Sequence, residues 1–456
     1  MISLEARAVV ALNARVIEFK QSNTKPETMN KNITRSVAVS SLLTLSLTIH
    51  EVAANDWPQW RGPDRTDISK ETGVLKQWPE GGPKQVWLNK DAGLGYSGFS
   101  IVAGKLFTMG ARGGTEFLIA LDANTGKQLW CAEIGALLTN NWGDGPRGTP
   151  TVEADRVYAL GGQGTLVCCD TAGGKLIWKK TMQELGGKAP SWGYTESPLV
   201  DGKLVVCTPG GAQGAVAALD KMTGTVVWQS KEFTDPAQYS SLIAVNHNGA
   251  RQYIQLTMQS VAGVAAADGK LLWRSEWPGK VAVIPTPIFR DGCVYVASGY
   301  KVGCKQVKVA ADNKVSDVYV NTVMVNHHGG VVLVGDHLYG YSDGTGGPSG
   351  GSGWVCQNFK TGEQVWVEKK LGKGAVGCCT EGLLYCLEES NGKNPASVVL
   401  IEASPKGWKE HGRFTLDPQT AQRSPKGRIW THPVVANGKL YLRDQELIFC
   451  FDVKAK

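Results

Sequence analysis

The chain has 456 residues, 42% of them apolar, with 56 glycines and a formal charge of +7. That apolar content excludes a disordered polymer, and the basic excess is scattered through the chain with no Lys/Arg run of the kind that grips a nucleic-acid backbone. Length alone admits two or three domains, so the domain count has to come from the chain's internal organisation.

Residues 29–35 are a short cationic start, residues 37–49 an apolar stretch broken only by Ser and Thr, and Val52-Ala53-Ala54 place small residues where a signal peptidase reads them. This pattern predicts export to a periplasm or similar space, with residues 29–54 a signal peptide cleaved after Ala54 and residues 1–28 an over-extended start. The apolar stretch is too short to span a bilayer, and no Cys follows it at a lipoprotein cleavage position. Residues 55–81 read as a lead-in segment and 82–456 as one folded body, expected to be monomeric.

Within that body one unit recurs. Ala120-Leu121-Asp122-Ala123-Asn124-Thr125-Gly126-Lys127-Gln128-Leu129-Trp130 aligns with Ala218-Leu219-Asp220-Lys221-Met222-Thr223-Gly224-Thr225-Val226-Val227-Trp228. The same frame fits the segments ending at Trp178, Trp273 and Trp366, each with Trp eight residues after the Asp slot, and a shortened copy ends at Trp408. Trp87, Trp130, Trp178, Trp228 and Trp273 follow one another at 43 to 50 residues, and the gap of 93 to Trp366 is two periods. One unit has therefore lost its Trp, with Tyr319 or Val320 near the vacant slot. Repeats of this length are propeller blades, four-stranded antiparallel sheets that must stack on their neighbours to bury both faces. In Asp-x-x-Thr-Gly the Asp and Thr side chains bond local backbone and Gly supplies positive φ. The last unit lacks its Gly-Lys-x-x-Trp piece, and residues 82–87, Gly-Pro-Lys-Gln-Val-Trp, supply one. The expected fold is an all-β, eight-bladed propeller whose N-terminal strand completes the last blade and removes the open sheet edges.

Eleven cysteines in an exported chain suggest disulfides, yet Cys168, Cys356 and Cys450 occupy a slot that Ala120 and Ala218 fill elsewhere, where Cys serves as a small buried apolar residue. Cys168-Cys169 and Cys378-Cys379 are adjacent pairs inside predicted strands.

Loops entering the innermost strands converge on the propeller axis, and here they are rich in functional side chains. Tyr96, Trp142, Asp144, Arg147, Trp192, Glu196, Tyr239, His327, His328, Trp430 and His432 are expected to surround one funnel. Charge-assisted bonds from such groups and flat aromatic walls suit an anionic or planar small molecule, or a protein partner at the propeller face. A plain structural role stands beside this for single residues: Glu196 and Arg147 could pair across blades. Glu196, His328 and His432 are weak metal candidates. Adjacent residues of a strand point to opposite faces, so His327 and His328 are not expected to ligate one ion together.

The repeat resembles that of the pyrroloquinoline quinone (PQQ) propeller superfamily, and Asp56-Trp57-Pro58-Gln59-Trp60-Arg61-Gly62-Pro63 resembles the segment that opens many of its members. The likeness covers residues 56–456, is strongest for exported planctomycete-type PQQ-like proteins, and extends to quinoprotein alcohol dehydrogenases, polyvinyl-alcohol dehydrogenase-like proteins and the non-catalytic BamB scaffold. The dehydrogenases imply PQQ over Ca²⁺, held by Glu, Asn and Asp between a Trp and a vicinal disulfide, with an Asp base. Glu196, Arg147 and Trp192 or Trp142 match part of that set. Cys168-Cys169 lies in the structural repeat instead, Asp144 alone among inner-loop aspartates is near the base position, and no Cys-x-x-Cys-His haem motif occurs. A binding role is favoured, with quinoprotein oxidation as the alternative.

Overall fold

The computed structural model describes residues 56–346, 351–379, 381–390 and 395–456. The expected over-extended start, and the expected signal peptide with cleavage after Ala54, lie outside these residues. Eight sheets follow in chain order. Blade 1 runs from Ser100–Val102 to Gln128–Ala136, blade 2 from Thr151–Glu153 to Leu176–Thr181, blade 3 from Leu199–Asp201 to Val226–Gln229, and blade 4 from Ile243–His247 to Leu271–Glu276. Blade 5 runs from Ile288–Arg290 to Val315–Asn321, blade 6 from Val331–Val334 to Gln364–Glu368, and blade 7 from Gly374–Cys379 to Glu410–Thr415. Blade 8 takes Val434–Ala436, Lys439–Asp444 and Leu447–Asp452 from the end of the chain, and its outer strand is Lys84–Asn89, antiparallel to Leu447–Asp452. The architecture is the eight-bladed propeller expected, closed as expected by the N-terminal strand. Among the described residues the one helical element is a single turn, Gln183–Leu185, and no helix is long and apolar enough to cross a membrane.

The repeat works through its turns. Asp122 Oδ1 accepts from the N–H groups of Asn124 and Thr125 and from the Thr125 hydroxyl, and Asp220 repeats the pattern with Met222 and Thr223. The glycine that follows has two duties. At Gly126 φ is +71, and a Cβ there would stand 2.5 Å from the Trp87 ring, so the missing side chain makes room for the indole of the preceding blade. Trp87 then donates Nε1 to Ala123 O at 3.1 Å, and Trp178, Trp228 and Trp366 likewise reach a carbonyl of the next blade's turn.

Two slots differ from a simple Trp count. Tyr319 fills the vacant one: its hydroxyl donates to Phe359 O at 3.0 Å, whereas Val320 is exposed. Trp408 is not the slot residue of blade 7. The residue that pairs with the inner position there is Gly412, opposite Leu400 as Trp366 is opposite Cys356, and Trp78 of the lead-in packs onto it, with a Cβ at Gly412 only 2.6 Å from Trp78. Trp408 instead lies near Trp354 and Trp366, in the region that receives the previous blade's indole. The 42-residue spacing that suggested a slot reflects this turn.

Apolar clusters sit between blades, as stacking requires. Cys168 packs with Trp178, Val205 and Leu219 toward blade 3, while Cys169 packs with Trp130 and Val167 toward blade 1. Adjacent in one strand, their side chains leave by opposite faces; both are free thiols.

The lead-in segment lies across the hub and bonds to all eight blades. Trp57 exchanges both backbone hydrogen bonds with Ile101 of blade 1, and Val152 N of blade 2 donates to Pro58 O at 2.8 Å. Arg65 donates to Ser197 O and Pro198 O, at the entry to blade 3, and to Leu242 O, at the entry to blade 4. Trp60 Nε1 reaches Thr286 Oγ1 before blade 5, and Arg61 reaches Val331 O of blade 6. Ile68–Ser69 adds a short parallel strand to blade 7. Ser69 donates to Val435 O of blade 8, where the Glu71 carboxylate also accepts from Asn437 N and Gly438 N.

Candidate functional site

The inner loops and the lead-in enclose a cavity of about 160 Å³ on the axis. Nine of the eleven expected residues line it: Tyr96, Trp142, Arg147, Trp192, Tyr239, His327, His328, Trp430 and His432. Two do not. Glu196 turns away and is buried, with Oε1 accepting from the Thr208 hydroxyl at 2.8 Å and Oε2 from Thr208 N at 2.6 Å. Burial pushes its carboxyl up to about 7 against those bonds and the nearby Arg65 cation. Asp144 accepts from Asn140 N and lines a separate polar cavity with Asn141, Gln422 and Lys426. Nor do Glu196 and Arg147 pair.

Arg147 is held by neutral groups. Its Nε donates to Trp192 O at 3.1 Å and one terminal nitrogen to Gly143 O at 2.7 Å, and the guanidinium lies 4.9 Å from the Tyr96 ring centre. Burial lowers its pKa, and among the described residues no carboxylate lies within ion-pair distance. No Asp or Glu lines the cavity at all.

The walls are aromatic. Tyr96 meets Trp430 at 4.9 Å, Trp430 stacks on His328 at 4.6 Å and 18°, His328 lies 3.7 Å from His327, and His327 meets the edge of Tyr300 at 4.6 Å. Trp192 and Tyr239 form a second pair at 5.8 Å. The two histidines do not point apart, contrary to the alternation expected of a strand. Residues 327–329 form a bend before blade 6, so the period of two does not apply and both rings face the cavity.

The floor was not anticipated. Trp60 and Arg61 of the lead-in line the cavity, with Arg61 Nε 3.0 Å from the buried Asp67 carboxylate, which also lies 3.8 Å from His432 Nδ1. Ser197, Ser241 and Thr286 line it too, each two residues ahead of an inner strand. Ser197 Oγ accepts from Thr149 N, Ser241 Oγ from Ser197 N and Thr286 Oγ1 from Trp60 Nε1, which leaves each hydroxyl its own proton to donate. A hydroxyl at one fixed offset, Thr149, Ser197, Ser241 and Thr286, is a periodic signal visible in the chain once the blades are aligned.

Among the described residues no three His, Cys, Asp or Glu side chains group as a metal site requires. The weak metal set does not assemble, because Glu196 is spent on Thr208 while His432 Nε2 donates to His328 O at 2.8 Å. A Ca²⁺-bound PQQ does not fit these residues either: the cavity offers no carboxylate to the ion, and Cys168-Cys169 is two thiols on opposite faces of blade 2.

A family model described as outer membrane protein assembly factor BamB matches residues 114–368, more than half of the chain. Among solved structures, BamB from Moraxella catarrhalis aligns with a TM-score of 0.56 at 15% identity, over 82% of this chain and 98% of that one. Quinohemoprotein alcohol dehydrogenase from Comamonas testosteroni aligns with a TM-score of 0.60 at 11% identity, over 88% and 81%. The corresponding enzyme ADHIIG from Pseudomonas putida HK5 gives 0.61 at 12%, over the same shares. Likeness at these identities is one of fold, which many functions share. No curated protein matches the chain in sequence.

Proposed function

The chain belongs to the family described as outer membrane protein assembly factor BamB, and from that premise we propose that it is an exported binding protein. Its axial funnel takes a flat anionic molecule, or the equivalent group of a protein partner, without catalysing a reaction on it. The observation that carries this is Arg147, a half-buried cation whose hydrogen bonds go only to carbonyl groups, in a cavity walled by aromatic rings and free of carboxylates. Such a cavity is rich in donors and poor in acceptors, so the ligand must bring the acceptors. The lead-in closes the floor, which favours a single-mouthed pocket over a channel.

The quinoprotein alternative needs acidic groups for its ion and a base near the substrate, and neither lines this funnel. The test uses naphthalene-2,6-dicarboxylate, a flat dianion, followed by quenching of funnel tryptophan fluorescence. Saturable binding by the wild type is expected, with Arg147→Met weakening it about ten- to hundredfold, the effect of losing hydrogen bonds to a charged group. Absence of binding would reject the reading. Ca²⁺-dependent uptake of PQQ with alcohol-driven dye reduction would replace it with the dehydrogenase.

A further inference from the structure

The funnel wall at His327 and His328 carries a cluster that ligand binding by itself does not require. His327 Nδ1 lies 3.2 Å from Lys373 Nζ. An ammonium only donates, so this nitrogen is the acceptor and the neutral ring keeps its proton on Nε2. Lys373 in turn pairs with Asp343 at 2.9 Å. His328, in face contact with His327 and stacked on Trp430, has Nδ1 3.8 Å from Glu389 Oε1, a carboxylate that sits behind the wall and does not line the cavity. His432, whose Nε2 donates to His328 O, faces Asp67 through Nδ1. Arg147, Tyr300 and Trp430 complete the groups around the two imidazoles, and Arg428 is a further cation acting on Glu389.

We propose that an anion enters this funnel together with one proton, taken from solvent by the His327–His328–Glu389 cluster. The inference rests on the anion-binding reading above and adds its regulation. Two imidazoles in contact, with Lys373 and Arg147 nearby, cannot both be charged in the empty site, because like charges at this separation repel strongly in a poorly solvated setting. A carboxylate placed in the cavity reverses that balance. It favours an imidazolium on the wall, and it equally favours the neutral form of Glu389, so either microstate gains the same proton and the cluster titrates as a unit. The surroundings agree in direction: burial and Lys373 hold His327 down near 3, burial and neighbouring cations hold His328 well below its usual range, and burial raises Glu389 to about 7.

The sign of the pH dependence follows. Binding that raises a pKa takes up protons between the free and bound values, so affinity is greatest at low pH and falls as pH rises through the bound-state pKa, by up to about tenfold per pH unit for one proton. The test is calorimetry of naphthalene-2,6-dicarboxylate binding to the whole protein near neutral pH, in Bis-Tris and in Tris, amine buffers whose ionisation enthalpies differ. A buffer-dependent heat corresponding to net uptake of up to about half a proton is expected near pH 7, where Glu389 is already partly protonated, with 2,6-naphthalenedimethanol, its neutral analogue, showing none. His328→Gln or Glu389→Gln should reduce the uptake while leaving the melting temperature near that of the wild type. Binding of the dicarboxylate with identical heats in both buffers would overturn the proposal and leave the anion-binding reading standing, as would uptake unchanged in both variants. A dicarboxylate that does not bind at all would remove both.

Discussion

Arg65→Ala should cost the folded protein about 3–5 kcal/mol, the penalty of removing one partner from a buried charged network. The guanidinium is buried, donates to Ser197 O, Pro198 O, Leu242 O and Gln59 Oε1, and faces the Glu196 carboxyl, while burial lowers its own pKa to about 9. Alanine would leave those carbonyls without a donor and Glu196 without its nearby cation, so the loss is one of desolvated groups left unpaired. Because blades 3 and 4 are tied to the lead-in through this side chain, the first region to loosen should be residues 56–71. Urea unfolding measures the stability, and amide exchange in that segment locates it. A variant within about 1 kcal/mol of wild type, below even a single unpaired buried donor or acceptor, would mean that the lead-in merely rests on the hub.

The second large effect concerns the turn glycines. Gly269 and Gly202 both have positive φ, +73 and +59, but a Cβ at Gly269 would stand 2.4 Å from the Trp228 ring, while at Gly202 it would meet nothing within 4 Å. Gly202→Ala should therefore cost only the left-handed backbone penalty, about 1 kcal/mol. Gly269→Ala must also displace the indole, stretching the 3.0 Å bond from Trp228 Nε1 to Ala266 O, for a total of about 3 kcal/mol. Thermal unfolding of the two variants side by side isolates the cost of the blade-to-blade contact. Equal losses would show that φ alone selects glycine here.

Much of the funnel was legible because position within a repeat maps directly to position around the axis. Tyr96, Arg147 and His432 belong to different blades, yet the loop slot they share brings them to one cavity. Glu196 misled for an equally local reason: it occupies such a loop, but its carboxyl finds two donors on Thr208, twelve residues on, and turns into the blade. Trp408 misled because spacing cannot distinguish an indole that leaves a blade from one in the turn that receives it. Only the register opposite Leu400 separates the two.

The periodic Asp, Gly and Trp positions by themselves determined the blade count, the four-stranded sheets and the closure by the N-terminal strand that carries Trp87, since each of these depends on hydrogen bonds and packing repeated at one fixed offset. Tertiary structure alone decided the floor and the fine chemistry of the pocket. The lead-in has no repeat to announce its contacts, and Arg61 and Arg65 acquire their distant partners only when the chain at the entries to blades 3, 4 and 6 presents carbonyls around one axis. Pairing between residues hundreds of positions apart depends on distances in space, which a linear pattern of residue types does not carry.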